Sequence, residues 1–399
     1  MNVCSILYGD RPDNVKGGSG TGITLWKLST ELVNQGCSVY IVHNRGHGPN
    51  SPKESEVNGV HFYGVGTSFF SIPSRLPFSL STLNMLKKID KRFNIDVFAF
   101  HGACSTPNVP SFRRYTSKPL VYHEYGATPL LLKNVYLRVS PPKTLIRLTL
   151  DSALEYLALK YVDKLIVASP LTKREFQKYY SYPEERIDVV PLGQDLFERH
   201  AHKLLTDKKN IIQREKQLLF VGNDWHRKGV KYLFLALKEV LKEVSDVTLN
   251  ITGPPQEPFI SMAEKLNLKN HIKYIGNVNE ETLARFYNEC DVFVLPSFHE
   301  GFSNTIIEAM AFGKPVITTP IAGYPVIENR KEGFLVSPGD FKTLASFIIK
   351  LLDDKVIYQE MSKNATEKAK KYTWKESAKK ILEVYNNLVI LSEKGNSAK

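Results

Sequence analysis

The 399-residue sequence has no apolar run approaching the roughly eighteen residues a membrane-spanning helix needs, which argues against an integral helical membrane protein. Its opening, MNVCSILYG, lacks the basic start and small-residue cleavage site of a secretion signal and reads as a first β-strand. A cytoplasmic protein is therefore expected. Cysteine is scarce: Cys4, Cys37, Cys104 and Cys290 lie far apart, without the paired spacing of a zinc site, and three of them sit in or beside apolar stretches. Reduced core thiols are expected, and no metal. Acidic residues are in deficit, with 41 Asp and Glu against 53 Lys and Arg and a net charge of +12. That excess favours an anionic partner, which could be a phosphate ligand, an anionic membrane surface or nucleic acid.

What is present is an ordinary globular composition, 42% apolar and 24% charged, in a chain longer than one hydrophobic core usually serves. Short β-rich runs alternate with longer periodic segments. Strands are expected at 3–7, 38–42, 97–100, 120–122, 165–168 and 187–190, and again at 218–221, 248–252, 272–275, 292–295, 316–318 and 334–336, with a helix near 21–34. Such alternation implies parallel sheets with helical crossovers, an α/β protein. It breaks in the polar stretch from Glu198 to Lys216. The chain is accordingly divided into a first domain at 1–193, a linker at 194–216, a second domain at 217–374, a final helix at 375–391 opened by a Thr373/Glu376 capping box, and a tail at 392–399.

In open parallel sheets, ligands bind beyond the carboxyl ends of the strands, so the residues just after each strand carry the chemistry. The first such turn, YGDRPDNVKGGSGTGIT, holds Gly17 and Gly18, which let backbone N–H groups approach a phosphate at a helix start. There is no Gly-Lys-Ser/Thr for a P-loop. The second strand ends in His43 and Asn44 rather than in the acidic ribose partner of a nicotinamide site. His101 and His123 end two strands and can donate to a phosphate or a sugar hydroxyl, or can be hydrogen-bonded histidines at a core edge. In LLFVGNDWHRKGV, Gly222 is followed by Arg227 and Lys228, two cations suited to the two phosphates of a nucleotide diphosphate.

The stretch SFHEGFSNTIIEAMAFG joins a buried strand to a helix capped by Ser303 or Asn304. The N–H groups of Phe302, Ser303 and Asn304 are expected to face an anion, with Glu300 in the turn and Glu308 about one turn into the helix beside it. Carboxylates repel phosphate but accept hydrogen bonds from hydroxyls. The ligand that fits is a diphosphate with a sugar at each end, a nucleotide sugar.

Glu300 and Glu308 at this spacing resemble the Glu-x7-Glu signature of retaining GT-B glycosyltransferases of family 4. The segments GGSGTGITLWKLSTELVNQGCSVYIV, YVDKLIVASPLTK, IDVVPLGQD, LLFVGNDWHRKGV, IKYIGNVNEETLARFYNECDVFVLPS and GFLVSPGD fall in that family's order across nearly the whole chain. Many members carry Arg where this chain has Asn223, and Arg227 beside Lys228 resembles a subgroup's variant. The resemblance implies two Rossmann-like domains facing across a cleft and transfer of a hexose from a nucleotide sugar, with retention and without a metal or bound cofactor. The acceptor it implies is a hydroxyl of a glycan, glycolipid or lipid-linked precursor. It further implies that Glu308 binds the ribose and Glu300 the transferred sugar, that Arg227 and Lys228 neutralise the leaving diphosphate with Gly17 and Gly18 opposite, that Val278 ends the segment reading the base, and that His123 lies near the reacting centre. Basic stretches mixed with apolar residues, among them LLKNVYLRVSPPKTLIR, raise peripheral contact with an anionic membrane on its cytoplasmic face. An epimerase or phosphorylase of similar fold and an inactive nucleotide-sugar or nucleic-acid binding module are the rivals. No recognised nucleic-acid motif supports the last.

Overall fold

The computed structural model describes residues 1–9, 20–44, 53–66, 75–126, 142–206 and 215–397. Two compact units are present, one of Met1–Leu192 with Trp374–Lys399 and one of Gly193–Thr373. Among the described residues no helix is long and apolar enough to cross a membrane.

The first unit is built on an eight-stranded sheet: β1 (Asn2–Leu7), β2 (Ser38–Asn44), β3 (Glu54–Val57), β4 (Val60–Val65), β5 (Val97–His101), β6 (Leu120–Glu124), β7 (Lys164–Val167) and β8 (Ile187–Val189), in the order β3-β4-β2-β1-β5-β6-β7-β8. All neighbours are parallel except β3 and β4. That hairpin was absent from the sequence expectations although its signal is local: Asn58 and Gly59 both take positive φ, 50° and 76°, the turn that matches the twist of two antiparallel strands.

Alternate side chains of this sheet feed two apolar layers. One holds Phe98, Phe100 and Tyr122 with Ala158 and Phe176 from covering helices. The other holds Val39 and Ile41 with Leu25 and Leu32 of the helix Gly20–Asn34, and with Ala378 of the C-terminal helix Trp374–Ser397. That helix runs beyond the expected end at Leu391, and the Gln35 side chain donates to the Lys375 carbonyl at 3.1 Å.

The second unit has an all-parallel sheet: β9 (Lys216–Phe220), β10 (Val247–Thr252), β11 (Ile272–Gly276), β12 (Val292–Leu295), β13 (Val316–Thr318) and β14 (Gly333–Leu335), in the order β11-β10-β9-β12-β13-β14. Strand order reverses between β9 and β12, and at such a switch the loops leaving two neighbouring strands diverge and open a crevice. The interval 194–216, read from sequence as a linker, contains the helix Leu196–Thr206. Leu196 joins the second core, and the Phe197 ring meets that of Phe312 edge-on at 5.1 Å. The Gln194 N–H donates to the Tyr372 carbonyl at 3.0 Å, so the segment entering this unit pairs with the one leaving it.

Candidate active site

The loops after β9 and β12 lie side by side at the carboxyl edge of the second sheet, held together by the Phe298 N–H donating to the Arg227 carbonyl at 2.8 Å. Their approach depends on Gly229, at φ 75°, where a Cβ would stand 2.2 Å from the Pro296 carbonyl oxygen. Gly222 instead makes room for a side chain, since Lys228 runs across it with its Cδ 2.3 Å from where a Cβ would be.

Arg227, Lys228 and Glu300, singled out separately in the sequence, meet here. Lys228 Nζ donates to Glu300 Oε1 at 2.9 Å, and an Arg227 guanidinium nitrogen lies 3.1 Å from the same oxygen. Arg227 is further fixed by the Asp224 carboxylate and by the His299 carbonyl, 2.6 Å away. Sequence reasoning missed Ser297, whose buried hydroxyl donates to Glu300 Oε1 at 3.0 Å. Burial by itself would raise the Glu300 pKa; Arg227 and Lys228 outweigh it and hold the carboxyl at about 2. Two carboxylates, Glu300 and Asp224, thus face the two cations.

The helix that follows is Asn304–Ala311, with Ser303 at its N-cap. Ser303 makes no side-chain cap bond; its hydroxyl lies 3.1 Å from that of Thr305. The first turn is thus not closed by its own cap, the condition an anion-binding helix start requires. Phe302 packs on the core with its ring 6.0 Å from that of Tyr372. Glu308 is half-buried and accepts the Tyr287 hydroxyl at 2.9 Å, a second partner that sequence did not reveal. Burial and then the Glu308 charge drive the Tyr287 pKa well up, so it remains a donor that fixes this carboxylate. Val278 follows β11, whose end is tied to β10 by the Gly253 N–H donating to the Gly276 carbonyl at 2.9 Å.

In the first unit, β5 and β6 bring His101 and His123 into register at the carboxyl edge, their rings stacked at 4.5 Å. His123 Nε2 and the Tyr385 hydroxyl are 2.8 Å apart, and His101 Nδ1 and the Tyr125 hydroxyl 3.1 Å. Burial lowers the His123 pKa to about 3; burial, then His123, lower that of His101. Both are neutral imidazoles at ordinary pH. His123 borders a recess lined also by Leu28, Tyr125, Ala168, Val190 and Ile381. Gly17 and Gly18 lie outside the described residues.

Two Rossmann-like sheets, the second with basic and acidic groups converging at its switch point, define the GT-B class of glycosyltransferase folds. Residues 18–197 match the model of Glycosyltransferase Family 4 and residues 203–372 that of Glycosyl transferases group 1. The chain belongs to the group 1, family 4 glycosyltransferases. It is 26% identical to D-inositol 3-phosphate glycosyltransferase of Corynebacterium diphtheriae over 57% of this chain and 57% of that one. The first curated relatives are matched over about three fifths of their own length. Among solved structures, sucrose-phosphate synthase from Thermosynechococcus elongatus superposes with a TM-score of 0.84 at 20% identity, covering 98% of this chain and 100% of that one. Anabaena Alr3699/HepE in complex with UDP-glucose superposes with a TM-score of 0.71 at 16% identity, covering 97% and 100%. At these identities the likeness is one of fold.

Proposed function

We propose that this protein transfers a hexose from a nucleotide-diphosphate sugar to an acceptor hydroxyl, with retention of anomeric configuration and without a metal. The observation that carries this is the convergence of Arg227 and Lys228 on Glu300 at the sheet's switch point. When a diphosphate enters, the cations exchange the carboxylate for phosphate oxygens and stabilise charge developing on the leaving group. Glu300, released and still ionised, accepts hydroxyls of the transferred sugar, and Glu308, held by Tyr287, accepts those of the ribose. Phe302, Ser303 and Asn304 offer their N–H groups to the phosphates, while the backbone ending at Val278 reads the base. Neutral His123 hydrogen-bonds near the reacting sugar. A UDP-sugar is the first donor to try, since UDP-glucose is named for a structure of the same fold.

A glycan or lipid-linked acceptor is in keeping with the basic charge and with the helix Pro142–Leu159, which leaves Ile146, Leu150 and Leu157 exposed on one side. Contact with the cytoplasmic face of an anionic membrane is part of this proposal. The test is a thermal-shift screen of UDP, GDP and ADP and their glucose, galactose, mannose and N-acetylglucosamine forms, on wild type and Glu308→Ala. Selective stabilisation by one nucleotide, weakened in the variant, is expected. No shift with any nucleotide from folded protein overturns the proposal.

A further inference from the structure

Behind the histidine pair, on the opposite face of the same strand, lies a group of acids and phenols that the reaction does not use. Tyr122 and Glu124 alternate with His123 along β6 and so project to the other side of the sheet. There the Tyr122 hydroxyl contacts a Glu124 oxygen and lies 2.6 Å from Glu155 Oε1, while the Tyr180 hydroxyl bonds Glu155 Oε2. Glu124 Oε1 accepts the backbone N–H groups of Tyr125 and Gly126, at 2.7 and 2.9 Å. Glu155 is fully buried and Glu124 nearly so, and among the described residues no cation lies within ion-pair distance of either. Tyr122 and Glu124 on β6 and Tyr180 on the next helix bond Glu155; Asp151 shares its helix, and the helical segments packed against that helix carry Cys104 and Arg113. Arg113 is committed to Asp163.

Two anions cannot share such a site, and donor counting says which one is neutral. The Tyr122 hydroxyl has one proton and two carboxyl neighbours. Glu124 already accepts two amide N–H bonds, which favour its charged form; Glu155 has two phenols and the Glu124 carboxyl itself, and two carboxyls in hydrogen-bond contact need a proton between them. If Tyr122 donates to Glu124, then Glu155 Oε1 must bring a proton of its own to meet the Tyr122 oxygen at 2.6 Å. Every donor is then used: Tyr180 donates to Glu155, the Glu155 proton lies between Tyr122 and Glu124, Tyr122 donates to Glu124, and the two amides donate to the far oxygen of Glu124. Burial, and for Glu155 the Glu124 charge after it, raise both carboxyl pKa values, Glu155 the further.

We propose that Glu155 is a protonated positioning residue: through Tyr122 and Glu124 it fixes the turn after β6, and through Tyr125 and His101 it sets the orientation of His123 on the other face. This rests on the transferase role proposed for His123, but the proton on Glu155 can be read without any activity. Infrared spectra of the full chain at neutral pH should show a protonated-carboxyl C=O band that disappears in Glu155→Gln. The amide introduced by that substitution can still donate to Tyr122 and accept from Tyr180, so this variant should keep kcat within about threefold of wild type. Glu155→Leu breaks this network and should lose roughly ten- to a hundredfold in kcat, the scale of a misplaced catalytic group; Glu155→Met serves if the Leu variant does not fold. A spectrum unchanged by Glu155→Gln, or wild-type kcat in a folded Leu or Met variant, overturns the proposal. If wild type transfers no sugar, the function proposal fails, while the infrared band still decides whether Glu155 carries the proton.

Discussion

Glu300 is the residue on which the second unit's electrostatics turn. Its carboxyl titrates near 2 in the folded chain against 4.5 ordinarily, so it binds its proton more weakly folded than unfolded. The resulting stabilisation is fully present above pH 4.5 and is lost as pH falls towards 2, about 3 kcal/mol in all. Acid titration of unfolding should show wild type losing this much more than Glu300→Gln across that window. A parallel dependence in both proteins would contradict the ion-pair account. The same variant frees Lys228 and Arg227, so nucleoside diphosphate binding should not weaken, while transfer falls ten- to a hundredfold for loss of a charged hydrogen-bond acceptor worth about 1.5–3 kcal/mol. Residue types and spacing identified Glu300, Arg227 and Lys228. Ser297 and Tyr287, which hold the two glutamates, gave no such signal, because an apolar strand and an amphipathic helix carry serine and tyrosine for many reasons.

At the scale of elements, the site is two loops leaving adjacent strands, and two glycines divide its requirements. Gly229→Ala places a Cβ 2.2 Å from a backbone oxygen at a φ that side chains rarely adopt, so neither partner can yield. Chemical denaturation should report a loss of about 1–3 kcal/mol for that strain. At Gly222 the obstructed neighbour is the flexible end of Lys228. Gly222→Ala is strained at the backbone as well, since φ is 156° there, but it should differ in also weakening diphosphate binding by roughly tenfold as the ammonium is displaced, a loss of part of one charge-assisted contact. Equal effects on binding in both variants would deny this division. The strands bearing these loops were legible as short apolar runs between turns. The hairpin β3–β4 was not anticipated, since its polar first strand, ESEV, does not stand out as apolar, and only the Asn58-Gly59 pair marks it.

For the molecule as a whole, the last helix completes a unit whose remainder ends nearly two hundred residues earlier in the chain. Trp374–Ser397 packs Ala378 against the layer of Leu25 and Ile41, and brings the Tyr385 hydroxyl to His123. Removing residues 374–399 exposes that layer and strips His123 of a partner. Limited proteolysis should then digest the first unit, Met1–Leu192, while the second, which has its own core, persists. A first unit equally resistant with and without the helix would show that the packing is dispensable.

By itself the sequence determined the alternation of strands and helices, the parallel sheets it implies and the residue types available at the strand ends, because these follow from local periodicity and from chemistry carried within a few neighbours. Tertiary structure alone decided which strand ends become neighbours. It placed Lys228 and Arg227 against Glu300, 72 residues away from Lys228, Tyr385 against His123 across 262, and the Glu155 helix under Tyr122 and Glu124. The protonation states follow from those contacts. Burial acts on Glu300 and Glu155 alike in the direction of neutrality, and the presence of two cations beside Glu300 and of none among the described partners of Glu155 leaves one carboxyl ionised and the other raised. Local sequence around a glutamate cannot carry that difference, since it resides in what the fold packs against it.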